Sequence, residues 1–525
     1  MAFRQVPERQ RSPMSPQEFG NRLQASFDVT KSTPENTRHW QWIDYLSADE
    51  SLSPDVRKKI RAQARYECVQ NGSYGVGMSR TLVTDTIGTG PRVSVSQFQQ
   101  TINQLIEREF MHWADAIGLA EKLQTMRMAK LVDGESVAKF STNTGVEHPV
   151  MLDLMLVECD QLTTTSYDSP TVDYVDGIHL QNGYPVAYDI LRQHPGSGYG
   201  WGNITEEYDT YPREQIIHLF RCDRPGQHRG VSEYAAALPL FAFLRRYTLA
   251  TVAAAETAAS VSQVIQTDAP MPEDYEDDSW NVSTFDKWMD AIPIDRNSAT
   301  VLPNQWELKQ FAAEHPTTTH EQFKRSLVSE IGRCINMPAN IATLDSGQSN
   351  YSSARFDHLG YERTIQNEQS YFNRNVMDRV FSEWLVEAAL TGVLPTRASN
   401  SVLQYNSQFG SRGLSNNIQH AWHWDGLRDA DATNAAQAQR MRLQNGSTQR
   451  EREYAEQGLD IEIEDAKAAV GLGIDVPTYR KWLSAAIFTN GNLLSLDPDE
   501  EETKEEPSTE ESKDESKEQV AESED

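Results

Sequence analysis

Phosphoryl transfer needs Gly-x-x-x-x-Gly-Lys-Ser/Thr, whose backbone N–H groups cradle phosphates, and this 525-residue sequence has no such run. Gly198-Tyr199-Gly200-Trp201-Gly202-Asn203 starts like a dinucleotide-binding turn, but Asn203 stands where the last glycine must let a helix pack closely. Neither a Gly-x-Ser-x-Gly elbow nor a His-Glu-x-x-His pair occurs. His420 and His423 lie three apart with Asp425 near, the residue types of a metal site, yet the Trp-rich segment around them favours packing. Ser352 and Ser353 beside Arg355 imitate a nucleophile site, and helix capping explains them better. His112 lies next to an apolar stripe and reads as a packed histidine. The cysteines (Cys68, Cys159, Cys222, Cys334) are too scattered for a ligand set and fit free thiols in a reducing compartment. The expectation is no enzyme, no cofactor and no metal.

The formal charge of −29 argues against a sequence-reading DNA binder, which would present Lys and Arg to phosphates. From Asp497 to Asp525 there are 15 acidic residues against 3 lysines, net −12, which leaves −17 for the rest. That terminal stretch has no apolar face and reads as disordered. Met1 to Arg11 lacks the apolar core of a signal peptide, and Arg245, Arg246 and Glu256 interrupt the most apolar window, Ala235 to Val261. The expectation is a soluble protein made inside the cell, with no membrane partner.

The elements follow from periodicity and punctuation. Residues 1–50, with Trp40, Trp42 and Tyr45, read as an extended arm. Ser53-Pro54-Asp55 starts a helix bearing Arg57, Lys58, Lys59, Arg61 and Arg65, read as a solvated face or an inter-subunit salt-bridge surface rather than a nucleic-acid contact. Ile102 to Leu131 reads as one helix with Leu105, Phe110, Trp113, Ile117, Leu119 and Leu123 on its stripe. Strands are expected at Ser136–Phe140, Met151–Val157, Gly177–Leu180, Pro185–Leu191 and Ile216–Phe220. Ser232 is placed to cap a helix running to Val261, about 45 Å long at ~1.5 Å per residue and kinked early by Pro239. Asp268–Asp278 is acidic and Pro-rich, Trp280–Met289 suggests a short helix, and Ala299–Leu302 and Trp306–Phe311 look like strands. Thr319-x-x-Gln322 forms a capping box for a helix carrying Phe323, Leu327, Ile331 and Ile335 until Pro338 stops it. Ala339–Ser353 reads as a mobile loop, Ser353 to about Leu390 as a long helix, and Gly410–Gly413 as a loosened segment.

Several blocks, in order from about residue 50 to 465, carry a resemblance. Arg224-Pro225-Gly226-Gln227-His228-Arg229-Gly230-Val231, followed by the alanine-rich helix, resembles the portal proteins of tailed phages, lambda type. So do Gly134-Glu135-Ser136-Val137, Val157-Glu158-Cys159-Asp160-Gln161-Leu162, Gly183-Tyr184-Pro185-Val186-Ala187-Tyr188 and Asn350-Tyr351-Ser352-Ser353-Ala354-Arg355. Thr86-Ile87-Gly88-Thr89-Gly90-Pro91 matches the family's strand-ending glycine turn, while Gln70-Asn71-Gly72-Ser73 departs from its Asn-Asn-Pro-like turn.

The resemblance implies an α+β, mainly helical portal fold assembled as a ring. Its parts would be an N-terminal arm (1–50), an α/β wing (51–230), stem helices (231–262 and 317–338) and a clip between them (263–316). A tunnel loop (339–353), a long wing helix and following strand (354–410), a helical crown (411–494) and the acidic tail (495–525) complete it. It implies a homo-oligomer of twelve at one capsid vertex, assembled in the host cytoplasm, through which double-stranded DNA is packaged and ejected without base reading. Partners would be the terminase large subunit, the major capsid or scaffold protein and the head–tail adaptor proteins. Channel candidates are Ser346, Gln348 and Ser349 in the loop and Lys324, Arg325 and Arg333 on the stem. Pro225, Gly226, Gln227, Arg229, Gly230, Asn350, Tyr351, Ser352, Ser353 and Arg355 are the structural motif residues. The alternatives are a capsid scaffold or adaptor that encloses no DNA, and an enzyme with an unrecognised site.

Overall fold

The computed structural model describes residue 38 and residues 45–163, 173–197, 207–260, 264–267, 306–309, 320–347, 350–426, 432–456, 459 and 461–488. Most of the arm, the Gly198 turn, most of the expected clip, Thr319, Gln348, Ser349 and the acidic tail lie outside these residues. The chain divides into two units, Met1–Trp424 and Asp425–Asp525. Together they give an α+β, mainly helical architecture.

The first unit opens with α1 (Ala48–Ser51), α2 (Pro54–Arg65) running into a π-helical turn at Tyr66–Gln70, and α3 (Ser73–Ile87). Strand β1 (Arg92–Val95) leads to α4 (Gln100–Ala116) and α5 (Leu119–Val132). The single helix expected over Ile102–Leu131 is therefore two, because Gly118 adopts φ +61° and breaks it. Strands β2 (Glu135–Thr142), β3 (Leu152–Val157), β4 (Tyr174–Val175), β5 (Ile178–Gln181), β6 (Tyr184–Leu191), β7 (Tyr208–Pro212) and β8 (Ile216–Phe220) follow. They form two antiparallel sheets, ordered β3-β2-β8 and β4-β5-β6-β7. All five expected strands are present.

Helix α6 covers Leu238–Ser260. The residues from Ser232 to Ala237 form tight turns instead of a first helical stretch, and Ser232 Oγ donates to the Leu131 carbonyl. Pro239 thus falls in the first turn, where a missing N–H breaks no helical bond, so the expected kink has no cause. The helix is about 35 Å long at ~1.5 Å per residue rather than 45 Å. Beyond it, β9 (Val264–Thr267) pairs antiparallel with β10 (Trp306–Lys309), and α7 (His320–Cys334) returns the chain. Tyr247 in α6 stacks on His320 at 5.2 Å and meets Phe323 edge-on at 4.9 Å, joining α6 to the first turn of α7.

The segment read as a loop contains a short helix, α8 (Ala339–Thr343), ending at Leu344 with φ +51°. Then α9 (Tyr351–Phe372), a π-helical turn at Asn373–Met377 and α10 (Asp378–Thr391) form the long helical run. Helix α11 (Thr396–Asn417) follows where a strand was expected, since Leu394, Ala398 and Val402 recur every four residues and are all buried. Gly410 interrupts it at φ +71°, as the glycine pair suggested. Strand β11 (His420–His423) pairs with β1, so residues 411–424 belong to this first unit and not to the C-terminal one.

Two cores hold the helices. In one, Phe110 meets Phe381 and Trp384 edge-on at 5.4 Å and 5.3 Å, among Trp113, Phe372, Val376, Met377 and Val380. In the other, Tyr234, Phe241, Leu244, Val328, Ile331, Tyr361 and Ile365 join α6, α7 and α9. His112 is exposed beside the first core, because the α4 stripe turns it outward, and is not packed. The C-terminal unit consists of α12 (Ala432–Gln444), α13 (Arg450–Glu456), α14 (Ile461–Leu472) and α15 (Val476–Phe488). Within it, buried Asp465 receives Arg450 and Arg480, at 2.5 Å and 2.8 Å.

Candidate functional site

Four of the sequence blocks meet at one place, the connection between β8 and α6. Gly226 takes φ +77°, and Gln227 stitches the turn that it permits. Gln227 Oε1 accepts from the backbone N–H groups of Asp223 and Arg224 at 2.9 Å and 3.2 Å. Its Nε2 donates to the carbonyls of Arg221 and Arg229 at 3.3 Å and 2.8 Å. All four side-chain valences serve the turn, so the residue type is dictated by geometry.

The turn delivers Arg229 into the interior. Its Nε and Nη2 form a two-pronged pair with Glu135 at 3.0 Å and 2.6 Å, and Nη1 reaches the carboxylate of Asp176 at 2.8 Å. Glu135 is fully buried and also receives Arg61 at 2.8 Å, the Gly230 N–H at 3.1 Å and His218 at 3.0 Å. Arg57 pairs with Asp176; Arg61 and Arg65 share Asp160, at 2.5 Å and 2.8 Å, and Arg65 also holds Asp133 at 2.7 Å. The α2 arginines recur every four residues on one face. Arg57 and Arg61 are buried in this intrachain network, so the reading of a solvated or inter-subunit face is corrected for them. Backbone closeness is part of the design: a Cβ on Gly230 would lie 2.1 Å from the Gly134 carbonyl oxygen.

Outside the network, Asp49 accepts from the N–H of His228 at 2.9 Å and bonds its Nδ1 at 2.8 Å, so α1 clasps the same turn. Below it, Glu233 and Glu368 share Arg127 and Lys130, which ties α5 to the root of α6 and to α9.

The electrostatics follow from burial and pairing. Burial alone would raise the Glu135 carboxyl, but Arg229, His218 and Arg61 outweigh it and hold it well below the carboxylate range. His218 is pushed down by burial against the opposing pull of Glu135, so it stays neutral and donates through Nε2. Burial and the neighbouring Arg229 lower Arg57 to about 10. Two acid-side losses of stability are expected. An unfolded His218 takes up a proton near 6.5 while the folded one resists, so stability begins to fall below that pH. The Glu135 contribution is complete above its ordinary 4.5 and is lost as pH drops through its depressed folded value. Melting curves from pH 7 to about pH 3 should show both declines; a Tm independent of pH across that range would contradict the assignment.

Of the channel candidates, Ser346 and Arg333 are exposed. Lys324 lies over the Tyr74 ring at 5.2 Å, and Arg325 bonds Asp345 at 3.1 Å. In the Asn350 block, Ser353 Oγ donates back to the Asn350 carbonyl at 2.9 Å, a bond within the first turn. His420 and Trp422 both bond Asp378, at 3.2 Å and 2.8 Å, which makes the histidine a packing tie. Glu158, Asp160 and His194 form the one such cluster among the described residues. There Arg65 occupies Asp160, and the Gly196 N–H donates to His194 Nδ1, which puts the imidazole proton on Nε2, away from any ion. Sequence reasoning missed Asp176 and His218; the Asp176-Gly177 turn, with φ +38° and +84°, was the available signal.

The family model described as phage portal protein, lambda family, matches residues 33–369. The chain belongs to that family. It is therefore a structural component of the portal and head–tail connector of a virion-like particle, not an enzyme. The chain is also similar to the virion of the native gene transfer agent (GTA) particle, at 12% identity over 76% of this chain and 93% of that one, TM-score 0.40. The necks of the empty particle in C6 symmetry and of the native particle in C12 symmetry are each 13% identical. They cover 76% and 81% of this chain and 93% and 94% of theirs, with TM-scores 0.41 and 0.39. No described helix is long and apolar enough to cross a membrane.

Proposed function

We propose that the chain assembles as a closed ring of twelve at one capsid vertex, the conduit through which double-stranded DNA is packaged and later ejected. The observation that supports assembly is the far half of α6. Leu249, Ala250, Val252, Ala253 and Ala255 are exposed, spread around the helix rather than on one protected stripe. A helix apolar on all sides is stable in water only when other protein covers it. A ring closed by a head-to-tail interface supplies that cover from neighbouring copies.

In this reading α6 and α7 serve as the stem, the segment joined by β9 and β10 as the clip, residues 339–353 as the tunnel loop and the C-terminal unit as the crown. The sheets and α2–α5 serve as the wing. Arg333, Ser346, Gln348 and Ser349 are proposed to face DNA, meeting its backbone rather than its bases, with Lys324 and Arg325 as further stem contacts. The terminase large subunit docks first and head–tail adaptor proteins replace it, while the capsid or scaffold protein holds the rim. Deleting Asp345 to Ser349 is expected to spare ring assembly and impair packaging or retention of DNA; normal packaging by that ring would count against the loop assignment.

The deciding experiment is native mass spectrometry with negative-stain microscopy of the purified protein. Twelve copies of 59.3 kDa give a ring of about 712 kDa with a hole admitting duplex DNA. A compact dimer or tetramer without a hole would favour a scaffold or adaptor instead.

A further inference from the structure

The buried network around Glu135 leaves one donor unmet. Nη1 of Arg57 stops 3.7 Å from Glu135 Oε1, beyond hydrogen-bond reach, although the Arg57 side chain is only 4% exposed. It is the network's one fully buried nitrogen that, apart from His194, finds no acceptor among the described residues. Beside it lies a cavity of about 10 Å³, lined by Arg57, Arg61, Asp160, Thr163, Asp176 and Arg229 among others. That is about the space one water centre requires, and the wall offers the several polar partners that a buried water needs.

We propose that this cavity is a binding site for a single ordered water, which accepts from Arg57 Nη1 and donates to a carboxylate of the network. Charge decides between water and a small anion. Arg57, Arg61, Arg65 and Arg229 are matched by Asp133, Glu135, Asp160 and Asp176, and His218 is neutral. The set is already balanced, so the missing acceptor must be uncharged. A halide would add an unpaired buried charge and is larger than the space. A cation is excluded by the guanidinium groups that line the wall. The water would complete the circuit between α2 and the Asp176-Gly177 turn, so that Arg57 is anchored at both Nη atoms. The inference is independent of ring formation, because every group belongs to one chain.

The test is a structure of the full-length protein at a resolution that shows ordered waters, from matched samples in chloride and in bromide. The expected result is one spherical peak about 2.7–3.2 Å from Arg57 Nη1, with no anomalous signal in bromide. An anomalous peak would overturn water in favour of an anion, and a direct Arg57–Glu135 bond with no peak would overturn the site. In solution, the Tm of the wild-type protein should be unchanged when gluconate replaces chloride at equal ionic strength. A lower Tm in gluconate would again assign the site to chloride.

Discussion

Arg229→Met is expected to lower the stability of the first unit by about 3–5 kcal/mol, the cost of stripping one partner from a buried ion pair. Methionine fills comparable space, so the loss would not come from a void. It would come from Glu135, which has no solvent to turn to, and from Asp176, which keeps Arg57 and Thr163 but loses its closest balance. The ion pairs are not thereby a net source of stability, since buried charges cost desolvation that pairing only offsets. Their effect is to make one arrangement of α2, β2, the Asp176 turn and the β8–α6 connection much better than its rivals. At roughly 2–4 °C per kcal/mol for a unit of this size, the melting point should fall by about 10 °C or more. Arg229→Lys should recover little, because an ammonium cannot span Glu135 and Asp176 together. A melt of Arg229→Met within a degree or two of wild type would show that the network is ornamental.

Leu249→Glu should leave the subunit folded and abolish assembly. Leu249 is 63% exposed in the chain, and glutamate is nearly as good a helix former as leucine, so the monomer should change by no more than about 0.5 kcal/mol. In a ring, by contrast, each copy would place an unpaired carboxylate in an apolar interface. Native mass spectrometry should find wild type as a ring and the variant as a 59.3 kDa subunit with an unaltered circular-dichroism spectrum. Rings formed by Leu249→Glu would remove α6 from the interface, whereas a monomeric wild type would challenge the ring itself.

Much of this was legible before any coordinates. The buried strands and the apolar stripe of the long helix stand out because burial repeats along them, as in Phe372, Val376, Val380 and Trp384. Arg229 and Glu135 stood in the blocks that carried the family resemblance. What could not be read was their meeting, since Glu135, Asp160, Asp176 and Arg229 are far apart in sequence and a charged residue gives no periodic sign of its partner. The same limit misplaced the α2 arginines, which look like any solvated basic face until the carboxylates opposite are known. Strands β7 and β11 were missed because Tyr208–Pro212 and His420–His423 are short and half polar, and pairing with a distant strand defines them. The helix starting at Leu238 rather than after Ser232 reflects a tertiary bond, from Ser232 to Leu131, outcompeting a local cap.

The π-helical turn at Asn373–Met377 sits where the long run passes from one core to the other. Tyr361 and Ile365 before it face the core shared with α6 and α7, while Val376, Met377 and Val380, within and after it, face the aromatic core of Phe110 and Trp384. One surplus residue advances the helical phase by about 100°. The turn therefore works as a gear offset, letting a single rod engage two neighbours that lie at different angles around its axis. In an uninterrupted α-helix one of those two faces would be out of step, so the irregularity allows one straight sequence to fasten both halves of the unit.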